Sequence, residues 1–145
     1  MNMLIVSCSS CGKKNRIPAG KQHLLPKCGH CRTPIEMRGQ AVPVELGDGD
    51  FQDFVRQASL PVMVDFFSPT CGPCQTMMPV VESMARDHVN KFIIAKVDTS
   101  RNQHIPAFFN IRGVPTFMFF KGGRLIEQLS GAVPRNVLEK KLAGI

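Results

Sequence analysis

A short apolar run leads directly into two closely spaced cysteines, and this junction constrains the fold more than any other part of the chain. The run covers residues 62–67, and Cys71-Gly72-Pro73-Cys74 follows it at the start of a helix-like stretch. Five of its six residues are apolar, as expected for a central strand that is buried on both faces. The sequence therefore predicts a strand-to-helix junction with the cysteine pair at the helix start.

The position of these cysteines predicts different roles for the two sulfurs. Unpaired backbone N–H groups and the helix dipole stabilise a thiolate at a helix N-terminus. A thiolate attacks a disulfide sulfur to form a mixed disulfide, which a second thiol then resolves. We therefore expect Cys71 to be the nucleophile and Cys74 the resolving cysteine of a dithiol redox centre. Gly72 and Pro73 are expected to restrict the active-site loop between them.

The other four cysteines form a second pattern, spaced C-x2-C-x16-C-x2-C. They are Cys8, Cys11, Cys28 and Cys31. Paired cysteines at this spacing are typical of a tetrahedral zinc site. His23 and His30 lie nearby, but four thiolates already complete such a site. We expect one structural Zn²⁺ here and no organic cofactor.

Two unequal domains are predicted: residues 1–43 as a zinc ribbon with a linker, and residues 44–145 as the larger domain. The first segment has seven Lys and Arg against one acidic residue, and a strand is predicted only at Met3–Val6. So few apolar residues cannot pack a core alone, so we expect this segment to need metal to fold. Residues 39–43 are predicted to be the linker.

The larger domain shows alternating strand and helix patterns. Strands are predicted at residues 44–46, 62–67, 92–97, 116–120 and 125–129, and helices at 51–58, from about 74 to 85, at 103–110 and at 134–142. Asp48 and Asp50 are candidate caps of the first helix. The order β-α-β-α-β-α-β-β-α predicts an α/β fold with a central mixed sheet flanked by helices.

A carboxylate inside the apolar run is a candidate for proton transfer. Asp65 has only apolar neighbours in this strand, which argues for burial. Burial raises the pKa of a carboxyl, and it would allow Asp65 to exchange protons with Cys74 near neutral pH, through water. Lys96, on the neighbouring predicted strand, is either an exposed strand lysine or a charge partner that moderates Asp65.

Several separate motifs give the chain from about residue 44 onward a specific family resemblance. They are Val64-Asp65-Phe66, Cys71-Gly72-Pro73-Cys74, Pro79, Ala95-Lys96-Val97-Asp98, Gly113-Val114-Pro115-Thr116 and Ser130-Gly131-Ala132. In these motifs the chain resembles the thioredoxin family. With its N-terminal ribbon it resembles the zinc-bearing bacterial branch of that family over the whole chain. The resemblance implies the thioredoxin fold, protein-disulfide reductase activity on client proteins, and regeneration by an NADPH-dependent thioredoxin reductase.

The resemblance also implies roles for residues around the cysteines. Pro115 would be cis and face the active site, where the Val114 backbone pairs with an extended substrate segment. Gly131 would keep this substrate groove open, and Lys96 would be the charge partner of Asp65. The family usually has a tryptophan immediately before the first active-site cysteine, where this chain has Thr70. Thr70 therefore bears on substrate range and redox potential.

No segment approaches the ~18 consecutive apolar residues of a membrane span, so we expect a soluble protein without a membrane partner. The residues before Cys8 superficially resemble a lipoprotein cleavage site, but they lack the basic start and longer apolar region that export needs. A cytoplasmic location is expected, where paired cysteines are more often metal ligands or catalytic than structural disulfides. The protein is expected to be a monomer.

Two alternative functions would give the ribbon the leading role. Its basic charge could serve nucleic-acid or protein binding, although the ribbon has no aromatic residue for base stacking. A salt-dependent nucleic-acid affinity would support that alternative. The second alternative is a redox-sensing holdase, which peroxide-triggered zinc release with chaperone activity would support. Disulfide reduction is the function that we expect.

Overall fold

The structure is a computed structural model that describes residues 1–145, in which a two-stranded sheet precedes a five-stranded sheet. The small sheet pairs β1 (Met3–Ser7) antiparallel with β2 (Lys14–Pro18). The strand β2 was not predicted, because Lys14 and Arg16 are exposed and its pairing with β1 decides its conformation. On β1, Leu4 and Val6 are buried while Ile5 is exposed, the alternation of a half-buried strand.

The large sheet confirms the predicted mixed topology. Its strands are β3 (Val44–Leu46), β4 (Val62–Phe67), β5 (Ile93–Asp98), β6 (Thr116–Lys121) and β7 (Arg124–Ser130). The spatial order is β3-β5-β4-β6-β7. The strands β3, β5 and β4 run parallel to one another. The strand β6 is antiparallel to both of its neighbours, β4 and β7. The apolar run therefore forms the central strand, as its composition indicated.

Helices cover both faces of this sheet. They are α1 (Phe51–Gln57), α2 (Gly72–Asp87), α3 (His104–Phe108) and α4 (Arg135–Ala143). On one face, Phe51 of α1 packs against Phe66, Phe109 and Phe120. On the other face, a second apolar cluster joins Met63 and Phe117 of the sheet to residues of α2 and α4. None of the four helices combines the length and hydrophobicity needed to cross a membrane.

The predicted capping of α1 is wrong in one respect. Asp50 occupies the N-cap position without a side-chain hydrogen bond to the helix, and its carboxylate accepts instead from the Gly47 N–H. The Asp48 carboxylate caps α3, where it accepts from three successive N–H groups, of Gln103, His104 and Ile105. These bonds, that of Ile105 foremost, lower the Asp48 pKa. The cap of α3 is therefore supplied by a loop residue more than fifty positions earlier in the sequence.

The N-terminal segment packs against the larger sheet and does not hang from a free linker. Leu4, Ile17 and Met37 belong to the same buried apolar cluster as Val44 and Phe66. Polar bonds fasten the joint: the Asn2 side chain accepts from the Glu45 N–H and donates to the Pro43 carbonyl. The Gln22 side chain accepts from the Val42 N–H at 3.0 Å. The apolar residues of the ribbon thus add to the core of the larger domain.

Candidate functional site

The active-site loop lies between β4 and α2. Cys71 is the N-cap residue of α2 with extended backbone angles, and Gly72 and Pro73 begin the helix. Cys71 and Cys74 form a disulfide with their Cα atoms 5.2 Å apart. Cys71 is half-buried, whereas Cys74 is almost fully buried. The predicted strand-to-helix junction is therefore confirmed, and the two sulfurs differ in access.

Backbone polar groups surround the outer sulfur. The Cys74 N–H donates to Cys71 Sγ at 3.2 Å, and the Val114 carbonyl oxygen lies 3.6 Å from the same sulfur. A helix-terminal N–H favours the thiolate form of the sulfur that it faces. The first turn of α2 contains no acidic residue that would oppose this effect. The Cys74 N–H at the start of α2 therefore favours negative charge on Cys71.

The loop of Val114 and Pro115 lies beside the cysteines, as the family resemblance implied. The Val114–Pro115 peptide bond is cis. The Gly131 N–H donates to the Pro115 carbonyl at 2.8 Å, which joins the end of β7 to this loop. Gly131 has a φ of +85°, a backbone conformation that side chains with a Cβ rarely adopt. Val114 therefore contacts Cys71, and Pro115 and Gly131 connect to it through the adjoining backbone.

The loop residues next to Cys71 are open to solvent. Thr70 is exposed, and its hydroxyl lies 3.1 Å from the Ser68 hydroxyl, where either can donate. A Cβ on Gly72 would meet no atom within 4 Å, and its φ is not positive. The fold therefore does not require glycine at this position. Gly72 leaves the surface beside the outer sulfur free of side-chain bulk.

The carboxyl of Asp65 is buried without a partner. Asp65 is fully inaccessible to solvent, and neither carboxylate oxygen has a hydrogen bond. Desolvation raises the pKa of Asp65 from its ordinary value of 3.8 to about 7, and the nearby charge of Lys96 opposes the rise. The expectation that this carboxyl is buried is confirmed. Such a group can take up or release a proton near neutral pH.

Lys96 influences Asp65 by its charge and forms its ion pair with another residue. Lys96 stands directly opposite Asp65 in the register of β4 and β5, but its Nζ pairs with Glu45 Oε1 at 3.3 Å. Its Nζ also lies 5.8 Å from the centre of the Phe67 ring. Lys96 therefore acts on Asp65 through space and not through a hydrogen bond. Sequence reasoning missed Glu45, because the strand register alone brings it opposite Lys96.

Cys74 lines a small groove between the active-site loop and α2. The groove has a volume of about 290 Å³, and Phe67, Met78, Pro79 and Glu82 also form its walls. Asp65 faces the same side of the sheet as Met63, because residues two positions apart in a strand share a face, and Met63 packs against α2. The inner cysteine and the buried carboxyl thus share one side of the sheet.

The four remaining cysteines converge as predicted. Their sulfurs all lie within 4.8 Å of one another, with Cys8 and Cys31 at 3.6 Å and Cys11 and Cys28 at 3.7 Å. Four sulfurs at about 2.3 Å from a central zinc ion would be ~3.8 Å apart in a tetrahedron. The cluster therefore fits a tetrahedral metal ion, and neither His23 nor His30 belongs to it.

Backbone and side-chain N–H groups complete this cluster. The Ser10 N–H donates to Cys8 Sγ and the His30 N–H to Cys28 Sγ, each at 3.4 Å. Asn15 of β2 donates to Cys28 Sγ at 3.5 Å and accepts from the Gly29 N–H at 2.9 Å. Asn15 thereby ties the second cysteine pair to the small sheet. No motif in the sequence indicated this role, since it depends on the unpredicted strand β2.

Comparisons with known proteins agree with this architecture. A family model described as Thioredoxin matches residues 42–144. Thioredoxin C-3 of Corynebacterium nephridii is 35% identical over 134 residues, which cover 90% of this chain and 87% of that protein. The thioredoxin of Chlorobaculum thiosulfatiphilum is 39% identical over 98 residues, 68% of this chain and 91% of that protein. Among solved structures, a mutant thioredoxin from Halobacterium salinarum NRC-1 matches with a TM-score of 0.65 at 30% identity, covering 71% of this chain and 89% of that chain.

Two cysteines that close a disulfide across the first turn of a helix can accept and return an electron pair, which is the chemistry of thiol–disulfide oxidoreductases. This chain is one of these enzymes. The family model matches most of this chain, and the two named thioredoxins are matched over 87% and 91% of their own lengths. The chain therefore belongs to the thioredoxin family. The match to Thioredoxin C-3 also extends into the N-terminal 43 residues, because it leaves only a tenth of the chain uncovered.

Proposed function

We propose that this chain is a protein-disulfide reductase of the zinc-bearing thioredoxin 2 kind, with Cys71 as its nucleophile. The Cys71 thiolate attacks one sulfur of a client disulfide, so that a Cys71–client bond forms and the client S–S bond breaks. The Cys74 thiolate then attacks Cys71 Sγ and releases the second client thiolate. The client gains two electrons and two protons, and the enzyme ends with the Cys71–Cys74 disulfide. The hydrogen bond from the Cys74 N–H to Cys71 Sγ carries this assignment.

Asp65 is the group that handles the proton of Cys74 in this proposal. Cys74 must lose a proton before it attacks. A general base performs that transfer best when its pKa lies near the working pH. The raised pKa of Asp65, at about 7, suits this task. Lys96 moderates that proton affinity through its positive charge. A water molecule would connect the carboxyl to the buried sulfur.

Substrate binding is assigned to the surface around the outer sulfur. The Val114 backbone would pair with an extended client segment, while Pro115 lacks an N–H that could compete for acceptors beside the sulfurs. Gly131 would keep the client-binding groove open, because it carries no side chain. Thr70 stands where the family usually has tryptophan and presents a small hydroxyl side chain. Recognition through the main chain would make the enzyme permissive toward client sequence.

Residues 1–43 are proposed to be a zinc ribbon that supports the catalytic domain of residues 44–145. Cys8, Cys11, Cys28 and Cys31 would hold one Zn²⁺, and the sulfur spacing supports this. When bound, the ion supplies cross-linking of the two cysteine loops and takes no part in the redox chemistry. No organic cofactor is needed for thiol exchange.

The proposed cellular setting follows from the family. An NADPH-dependent thioredoxin reductase would return the enzyme to its dithiol form, and client proteins with disulfides would be its substrates. A monomeric protein in the reducing cytoplasm would meet both.

An insulin reduction assay tests the proposed activity. The protein, thioredoxin reductase and NADPH are mixed with insulin, and NADPH oxidation is followed together with insulin precipitation. Both signals should depend on this protein, and Cys71→Ser should abolish them. A wild-type protein that leaves insulin intact while the reductase oxidises NADPH with a control thioredoxin would disprove the proposal.

A further inference from the structure

Three charged residues form a row across three neighbouring strands. In the parallel register, Glu45 of β3 stands opposite Lys96 of β5, and Lys96 stands opposite Asp65 of β4. Residues directly opposite one another in a sheet project from the same face. The Lys96 side chain therefore has a carboxyl on each side of it.

The lysine is paired with only one of these carboxyls. Its Nζ lies 3.3 Å from Glu45 Oε1, while both oxygens of Asp65 remain without a hydrogen bond. The side chain of Glu45 is 60% exposed and that of Lys96 is 19% exposed, so the pair forms at the solvent edge of the row. A lysine has three donors on a flexible stem, and it strongly favours the ionised form of any carboxylate that it reaches. The unpaired state of Asp65 thus depends on where the lysine points.

We propose that Glu45 is a positioning residue, which holds the Lys96 ammonium at the sheet edge and so keeps the Asp65 carboxyl without a charged partner. The inference rests on the proposed role of Asp65 in proton transfer. It extends that role by naming the residue that maintains the surroundings of the carboxyl. Neither a loop motif nor the cysteine pair indicates this residue.

The other groups around Asp65 do not replace Glu45 in this task. On β6, the residue opposite Asp65 is Phe117, which carries no charge. From α2, the titratable and charged groups on this side are Cys74, Glu82 and Arg86. Glu82 and Arg86 line a groove of about 510 Å³ together with Lys96, but neither forms an ion pair with it. Glu45 is thus the one acid that pairs with the lysine.

The consequence for the enzyme concerns the pH at which Asp65 changes charge. With the lysine held away, desolvation dominates and the pKa of Asp65 stays near neutrality. Without Glu45, the ammonium is free to turn inward and stabilise the carboxylate, which lowers that pKa. Asp65 would then be ionised at a lower pH and would be a weaker base toward Cys74.

A double-mutant cycle with direct observation of the carboxyl tests the inference. The Asp65 carboxyl carbon is titrated by ¹³C NMR in the wild type, Glu45→Gln, Lys96→Met and the double variant. Glu45→Gln should lower the Asp65 pKa by roughly half a pH unit, the scale expected for a partly exposed ion pair. The same change made in the Lys96→Met background should leave the pKa within about 0.1 unit, because Glu45 acts through the lysine.

Two further variants separate positioning from general effects. Glu45→Asp retains the carboxylate and should restore the wild-type titration in part. Glu127→Gln removes a comparable surface pair, with Lys141 at 2.8 Å, two strands from β4, and should change nothing. An equal shift from Glu45→Gln in both lysine backgrounds, or no shift in either, would overturn the inference.

A kinetic measurement connects the titration to catalysis. The rate at which the Cys71–client mixed disulfide is resolved should rise with pH along the ionisation of Asp65. In Glu45→Gln this rise should move to lower pH by the same half unit as the NMR titration. A protein that shows the NMR cycle but reduces no client disulfide would refute the proposed function and leave the Glu45 coupling intact. If the protein reduces insulin but Glu45→Gln leaves the Asp65 titration unchanged, the coupling alone would be refuted.

Discussion

The backbone N–H of Cys74 points at Cys71 Sγ across the first turn of α2, at a distance of 3.2 Å. The inner residue of the pair therefore stabilises the outer sulfur as an anion while its own side chain remains almost fully buried. This contact and the difference in burial make the two cysteines chemically unequal. They also make the assignment of nucleophile and resolving cysteine testable.

Single substitutions should separate the two cysteines. Cys71→Ser should abolish client reduction, because no accessible thiolate remains. Cys74→Ser should still attack and then accumulate as a mixed disulfide with the client, since nothing resolves it. Intact-protein mass spectrometry after incubation with a disulfide substrate distinguishes these outcomes. An adduct on Cys71→Ser and none on Cys74→Ser would reverse the assignment.

Asp65→Asn should stabilise the protein in a pH-dependent way. The folded-state pKa of Asp65 is raised from 3.8 to about 7, so the unfolded chain holds fewer protons than the folded chain between these values. Wild-type stability should therefore fall as the pH rises from about 4 to 7, whereas the asparagine variant has no such loss. The difference in free energy of unfolding should grow from near zero at pH 4 to about 4 kcal/mol at pH 8.

Denaturant unfolding of both oxidised proteins across pH measures this difference. Asp53→Asn is a suitable control, because the side chain of Asp53 is 73% exposed and pairs only with Arg56. That variant should track the wild type within a few tenths of a kcal/mol at every pH. The Asp65 variant should also resolve mixed disulfides more slowly near neutral pH. Parallel stability curves for wild type and Asp65→Asn would show that the carboxyl is not desolvated.

Glycine should be required at Gly131 and not at Gly72. Gly131 has a φ of +85°, so alanine there should destabilise the protein by about 1–2 kcal/mol even though its Cβ would meet no neighbouring atom. Gly72→Ala is the matched control, since the added methyl group also meets open space but φ is not positive. The two free energies of unfolding should differ by about 1 kcal/mol or more. Equal stabilities would place the requirement for Gly131 outside the backbone.

The purified protein should contain one zinc ion held by the four N-terminal cysteines. Cys28→Ser should lose most of this zinc and melt at a lower temperature, because Cys28 is buried and the apolar residues beside it belong to the main core. Metal analysis and thermal unfolding measure both effects. Cys71→Ser is the control, and it should retain the full metal content.

The same variant tests whether the ribbon contributes to the chemistry. No residue of 1–43 lines the groove beside Cys74, so zinc loss should leave insulin reduction within about tenfold, or ~1.4 kcal/mol in barrier height. A loss of nearly all activity in a protein that remains folded would show that the ribbon helps to build the active site.

Local pattern was sufficient for much of this protein. An apolar strand followed by Cys71-Gly72-Pro73-Cys74 predicted the redox junction, because strand burial and helix initiation depend on neighbouring residues. The same run placed a carboxyl in the interior, and Asp65 is indeed fully buried. The spacing of Cys8, Cys11, Cys28 and Cys31 predicted their convergence, because two C-x2-C pairs at this separation are typical of one tetrahedral zinc site.

Contacts between distant residues were decided only by the tertiary structure. Asp48 caps α3 and not the adjacent α1, and Lys96 pairs with Glu45 and not with Asp65. The strand β2 exists because it pairs with β1, although its own residues do not favour a strand. A sequence specifies which side chains can accept or donate, but register and packing determine which of the available partners lies within about 3 Å. The surroundings of Asp65 therefore follow from how three strands align, which no local pattern encodes.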